Sequence, residues 1–568
     1  MSQALRRQTI KRLYVLIFAI CLMFFLVALN LFNLQVLHHK KYKNISLNQQ
    51  DNFLKNPFPH RGNIFLIDKN GKYSAAASTK NGFLAYVNAR VLENPEDAFL
   101  KLNSVINIDK DIFLKFIQKK NDPFEVLEKK LSKEDAEKIL SFNIKGIGVV
   151  EDEWRFYPLG AFLSHVLGFS SIISSDIIEG KYGIEKFYNK FLVGSKKSKN
   201  SKGFFVFFSA IASVFGENLE DGQDIFLTIE PNVQIIAERD LKKLSDKWHA
   251  QSGGILVLDP KSGEVVVMAA FPKFDPNKYF EEKDLSVFLN PFVEKVFEMG
   301  SIMKPVTMAT GIDSGHITPD TTYLDKGFIE INGKKLRNFD EKPRGERNMT
   351  QVLEESLNTG AVFVMQRTGK EIFKEYLKKF GFYEKTNIDL PGEVKSNLSN
   401  LESGRDIEFA TASFGQGIAV SPIAMVRALG ALANGGRLVE PTLTYKNEAS
   451  RETNEPRQII KRETAFLVSK MLVDVVDHTL AGGKAKIDGY SIAAKTGTAQ
   501  IPNKNGGGYG EEFFHSFFGY FPAYDPRFLV FMFLERPTGV KYASQTLTEP
   551  FTNLVKFLIN YYAVPPDR

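Results

Sequence analysis

Two sets of apolar, strand-length runs bracket a long helix-rich stretch, and this arrangement restricts what the chain can fold into more than any other feature. Residues 254–258 and 264–270 flank a turn, Asp259-Pro260-Lys261-Ser262-Gly263, and strand runs return at 490–494, 514–521 and 528–534. Short apolar runs bounded by turn residues read as buried strands. Residues 231–244, most of 300–480 and residues 549–562 read as helix. Strands at both ends of a segment with helices between them are satisfied by one antiparallel sheet flanked by helices, an α+β layered domain over residues 231–568.

That domain holds the chemistry-bearing residues. Ser301-Ile302-Met303-Lys304 places a hydroxyl and an amine on one face of a helix, where the amine can take the hydroxyl's proton. Pro305 follows the pair, and proline is tolerated only in the first turn of a helix, so a helix is predicted to start at or just before Ser301. Free N–H groups and the positive dipole end favour an oxyanion there. Lys304 can act as a base only if burial and a second cation, for which Lys495 is the candidate, lower its pKa. Ser356-Leu357-Asn358 offers a hydroxyl to relay a proton and an amide to hold a substrate carbonyl and the lysine. Lys495-Thr496-Gly497-Thr498 reads as a strand edge. There Gly497 lets a substrate backbone approach, Thr496 and Thr498 bind a carboxylate, and Lys495 adds charge. Each fragment alone also fits an ordinary role: a capping serine before a surface lysine, a turn, an edge strand. The order Ser-x-x-Lys, Ser-x-Asn, Lys-Thr-Gly is far more specific, and it predicts serine acyl transfer with lysine in the place of histidine.

Other chemistries find little support. The eight histidines are scattered without a His-Glu-x-x-His or Cys/His cluster, so neither a metal nor any other cofactor is expected. The glycine-rich stretch 506–510 reads as a loop beside the site. Cys21 is the only cysteine, which excludes a disulfide within the chain. The net charge of +7 fits nearness to an anionic membrane or wall, and no nucleic-acid-binding motif is present.

Residues 13–37 carry no charge and are long enough to cross a bilayer as a helix. Arg6, Arg7, Lys11 and Arg12 precede them, which puts a cytoplasmic tail at 1–12 and the remainder outside. The run ends without a small-x-small cleavage site, so it is expected to stay as an anchor. Residues 38–230 read as a mixed domain. It has a strand closing in a turn at Asn70-Gly71, helices over 95–102, 109–119 and 133–140, and a further helix opening at Tyr182-Gly183. Residues 195–202 and 446–457 read as surface loops. The Phe-rich run 203–215 reads either as a buried hairpin or as a tip that touches a partner or the membrane.

Three segments together resemble the motifs of class B penicillin-binding proteins, the D,D-transpeptidases of bacterial wall synthesis. They are Glu298-Met299-Gly300-Ser301-Ile302-Met303-Lys304-Pro305, Ser356-Leu357-Asn358-Thr359-Gly360 and Ala494-Lys495-Thr496-Gly497-Thr498-Ala499-Gln500. Ile388-Asp389-Leu390-Pro391-Gly392-Glu393 and Phe414-Gly415-Gln416-Gly417 resemble the division-type, FtsI-like subgroup. Arg61-Gly62 and Gly183-Ile184-Glu185-Lys186 resemble its pedestal. The resemblance spans nearly the whole chain. It implies an N-terminal transmembrane helix, a mixed, dimerisation-type pedestal and a serine β-lactamase-like transpeptidase domain. It also implies Ser301 as nucleophile, Lys304 as base, Ser356 as proton relay and Asn358 as substrate guide. Lys495, Thr496 and Thr498 would hold the carboxylate. The implied partners are peptidoglycan stem peptides, β-lactams and, since no polymerase domain precedes residue 230, a SEDS-type glycosyltransferase in the inner membrane. Elongation-type transpeptidase, D,D-carboxypeptidase, β-lactamase and inactive division scaffold are the alternatives. Glu355, beside Ser356, departs from the small residue common in division enzymes.

Overall fold

The structure is a computed structural model describing residues 60–119, 124–172, 178–193, 195–196, 219–445, 455–503, 506 and 508–568. Of the expected anchor it describes only 17–18, 21–25 and 32, and among the described residues no helix is long and apolar enough to cross a membrane. The Phe-rich run 203–215 and residues 446–454 lie outside the described residues.

The chain divides into two compact units. The smaller includes residues 81–154, with helices Pro95–Asn103, Lys110–Gln118 and Lys133–Ser141. Their starts are readable from sequence because Asn94, Asp109 and Ser132 each accept a first-turn N–H. Leu102, Phe113, Leu131 and Ile139 form its core.

The larger unit comprises His60–Lys80, Arg155–Gly194 and Asp221–Arg568. It gathers segments from both sides of residue 230 because strand Ile64–Ile67 pairs in parallel with Ile225–Leu227, which leads into the next helix. Near that pairing the Glu185 carboxylate, fully buried, accepts from Arg61 Nε at 2.9 Å and from Arg155 Nε at 2.6 Å.

The central sheet has five strands: β1 (Ser252–Leu258), β2 (Val265–Phe271), β3 (Ala493–Pro502), β4 (Tyr509–Phe521) and β5 (Phe528–Glu535). They are antiparallel, as the sequence pattern predicts, and run in the order β2-β1-β5-β4-β3 with β3 at an edge. The edge strand begins at Ala493 and runs well past the apolar run 490–494. Its outward residues Thr496 and Thr498 are half-buried while Gly497 and Ala499 are buried, so continuous apolarity ends at Lys495 although the strand does not.

The helices around the sheet and site include α1 (Pro231–Trp248), α2 (Lys304–Asp313), α3 (Met349–Glu354), α4 (Asn358–Thr368), α5 (Arg462–Asp474) and α6 (Ala543–Tyr562). Residues 304–311 of α2 are all buried, which marks it as the centre of the helical block. Helix α6 starts at Ala543, six residues before the expected start, and carries Pro550 inside it. An internal proline costs ~3 kcal/mol, but burying Leu547, Phe551, Leu554 and Leu558 returns ~1.5–3 kcal/mol each, so packing wins.

Candidate active site

The nucleophile segment is not α-helical at Ser301. Gly300–Met303 forms a 3₁₀ turn, and α2 begins at Lys304 with Pro305 in its first turn. In a 3₁₀ turn residues i and i+3 eclipse, so Ser301 and Lys304 share one side. Gly300 enters the turn at φ +61°, and a Cβ there would lie 2.8 Å from the Thr498 carbonyl oxygen. Its N–H donates to the Gly415 carbonyl at 3.0 Å, and the Ser516 hydroxyl donates to the Met299 carbonyl at 2.8 Å. Strands β3 and β4 and the Gly415 loop thus hold the turn from three directions.

Ser356 sits between α3 and α4 at φ +53°, a left-handed conformation that costs a non-glycine residue about 1–3 kcal/mol. This geometry sends both its oxygens to Lys304: Nζ donates to the carbonyl at 2.5 Å and to Oγ at 3.2 Å. Lys495 Nζ donates to the same Oγ at 3.0 Å. One hydroxyl therefore joins the two lysines. Lys304 is fully buried and Lys495 nearly so. Burial, then the charge of Lys495, drives the Lys304 pKa well below the usual lysine range; burial pushes Lys495 down to about 7. An amine whose charged form is disfavoured in this way, one turn from a serine, can take the serine's proton.

The structure brings Ser301, Lys304, Ser356, Lys495, Thr496 and Thr498 to the junction of α2, the α3–α4 turn and the β3 edge. Two of the motif residues are also tied to the chain's own framework. A Cβ on Gly497 would meet Ser516 Oγ at 2.3 Å and the Met299 carbonyl oxygen at 2.6 Å. The missing side chain makes room for the chain's own nucleophile turn. The Asn358 amide nitrogen donates to the Arg337 carbonyl at 2.9 Å. The Thr498 hydroxyl accepts from the Ala543 N–H at 3.0 Å, which leaves its O–H to donate to a ligand. Ser516 carries no motif of its own and only the three-dimensional packing reveals it, whereas Gly415 lies in the family-like segment 414–417, whose contact with the nucleophile turn the packing supplies. Among the described residues no group of three or more His, Cys, Asp or Glu is placed to hold a metal ion.

A five-stranded antiparallel sheet with helices around it and a serine-lysine site at an edge strand defines a serine acyltransferase. Residues 253–556 match the penicillin binding protein transpeptidase domain, and residues 57–203 match the penicillin-binding protein dimerisation domain. Stage V sporulation protein D of Bacillus subtilis is 32% identical over 577 residues, covering 98% of this chain and 86% of that protein. A probable peptidoglycan D,D-transpeptidase PenA of Neisseria gonorrhoeae is 26% identical, over 88% of this chain and 84% of its own length. Penicillin binding protein 3 of Mycobacterium tuberculosis, solved with aztreonam, shares the fold with a TM-score of 0.67 at 24% identity, over 90% of this chain and 98% of that one. The chain belongs to the penicillin-binding protein transpeptidase family, and it is a D-Ala-D-Ala transpeptidase by class.

Proposed function

We propose that the chain crosslinks peptidoglycan stem peptides through an acyl-enzyme on Ser301, outside the cytoplasmic membrane, in septal wall synthesis. The observation that carries the residue roles is the single Ser356 hydroxyl shared by two buried lysines one turn from Ser301. Lys304, neutral, takes the Ser301 proton as Oγ attacks the carbonyl of the penultimate D-alanine. The Ser301 and Thr498 N–H groups face the oxyanion. As the C–N bond breaks, the proton passes from Lys304 through Ser356 to the departing D-alanine amine. An amine of a neighbouring stem then attacks the ester, forming the crosslink and returning Ser301. Lys495 and the Thr496 and Thr498 hydroxyls bind the terminal carboxylate, and the Asn358 carbonyl oxygen accepts from a stem amide.

The uncharged run 13–37 and the basic residues before it support a single-pass anchor with a cytoplasmic N-terminus. Residues 38–230 serve as pedestal and 231–568 as the transpeptidase domain. The resemblance to division-type penicillin-binding proteins supports a separate, SEDS-type glycosyltransferase and other division proteins as partners. β-Lactams occupy the site as substrate mimics.

The test is to incubate the full chain in detergent with a fluorescent penicillin and locate the adduct by mass spectrometry. A stable adduct on Ser301 is expected. An adduct elsewhere, rapid hydrolytic turnover, or no adduct on folded protein would overturn the proposal. Within the same assay Gly497→Ala is expected to slow labelling roughly 100-fold, because its new methyl displaces the turn that carries Ser301. Labelling at the wild-type rate would show that the turn tolerates the shift.

A further inference from the structure

Between α2 and α3 the chain makes an excursion of two antiparallel ribbons, Thr322–Asp325 with Gly345–Asn348 and Phe328–Ile331 with Lys334–Arg337. None of the three motifs lies in it, yet it meets the second motif on both sides of Ser356.

On the far side, Asn338 is buried with its carbonyl oxygen at the start of α4. That oxygen accepts from the N–H of Asn358 at 2.9 Å and from the N–H of Thr359 at 3.2 Å. The orientation is forced. The Asn338 Nδ2 group faces both oxygens of buried Asp325 at 3.1 Å, and a carboxylate accepts only from the nitrogen side of the amide. Asp325 is itself held by the Thr359 hydroxyl at 2.7 Å and by the N–H groups of Gly327 and Arg344 at 3.1 and 3.0 Å. On the near side, the Glu355 carboxylate accepts from Arg344 Nε at 2.8 Å and from Arg347 Nε at 2.6 Å. Both arginines leave the same excursion.

A residue at positive φ persists only where its surroundings over-determine it. Ser356 is that residue, and its two flanks are Glu355 and the capped start of α4. We propose that the excursion positions Ser356 for catalysis, with Asn338, oriented by Asp325, and Glu355, held by Arg344 and Arg347, as positioning residues that keep the Ser356 oxygens on the two lysines. The inference rests on the transpeptidase reading above, and it gives Glu355 a role that a small residue at that position could not fill.

The test is the second-order rate of penicillin acylation of the full chain in detergent, measured across the neutral pH range for wild type, Asn338→Ala, Glu355→Ala and Glu355→Gln. The two alanine variants are expected to be acylated roughly 10- to 100-fold more slowly. Their ascending pH limb should move to lower pH, because Lys304 loses acceptors that favour its charged form. Glu355→Gln, which still accepts from one guanidinium, should recover part of the rate and of the limb. Partial unfolding lowers the amplitude of labelling but does not move a pH midpoint. Unmoved midpoints, with rates that only follow the folded fraction measured by circular dichroism, would overturn the positioning role while leaving the transpeptidase reading intact. A folded wild type that takes no label would sink both.

Discussion

Replacing Lys304 by alanine is expected to lower the rate of penicillin acylation about 10³-fold, the scale of a lost general base. Lys304 is fully buried, and among the described residues no carboxylate pairs with it; its contacts are the two oxygens of Ser356. Lys304→Arg separates a base from a mere cation, because a guanidinium keeps the charge and cannot give up its proton. It should be as slow as alanine. In the wild type the rate should climb as pH rises through the depressed Lys304 pKa, then fall above about 7 as Lys495 loses the charge that holds the substrate carboxylate. Lys495→Ala should remove the falling limb. It should also shift the rising limb to higher pH, since the neighbouring charge no longer opposes protonation of Lys304. Replacing Lys304 should move stability the other way from rate. A buried lysine with a depressed pKa binds fewer protons folded than unfolded, so it weakens the fold below its normal pKa, and the penalty grows as pH falls. Lys304→Met should therefore melt no lower than wild type at neutral pH. A fast Lys304→Arg enzyme would refute the base assignment.

What could be read from the residues divides along a physical line. Ser301, Lys304, Ser356 and Lys495 were legible because the reaction requires those residue types, and short local spacing keeps them together on a turn or strand edge. The sheet was legible because β1, β2 and β5 are buried along nearly their whole length and so read as unbroken apolar runs. The β3 edge was read short because it has two faces, one of them toward the site. Glu355 stood out in the sequence only as a departure beside Ser356, and Asp325 and Asn338 were not legible as part of the site: a buried amide and carboxylate on irregular ribbons have no period, and their partners lie elsewhere in the sequence. Gly497 shows a subtler limit. The sequence marks a position that tolerates no side chain, but only the structure names the atoms that would collide with one.

Glu185→Ala is expected to destabilise the larger unit by about 3–5 kcal/mol, the effect of removing one partner from a buried ion cluster. Glu185 is fully buried, Arg61 and Arg155 are nearly so, and the Tyr157 hydroxyl also donates to the carboxylate at 3.3 Å. Deleting the carboxylate strands two guanidinium groups away from water, and the other contacts of Arg61, to Asn189 at 2.9 Å and to the Glu185 carbonyl at 3.0 Å, carry no compensating charge. Glu185→Gln keeps the shape but still leaves two positive charges without a negative one, so it should fall nearly as far. Burial pushes the Glu185 pKa up, but the charges and hydrogen bonds of Arg155 and Arg61 pull it down further, leaving it below the usual glutamate value of 4.5. The carboxylate's contribution is complete above the unfolded-state pKa and is lost as pH falls through the lower folded value. Denaturant unfolding of the full chain at neutral and acidic pH reads both effects. The gap between wild type and Glu185→Ala should be wide at neutral pH and narrow in acid. A gap under about 1 kcal/mol at neutral pH, the scale of an exposed ion pair, would mean that the cluster is hydrated and that the strand pairing beside it stands without it.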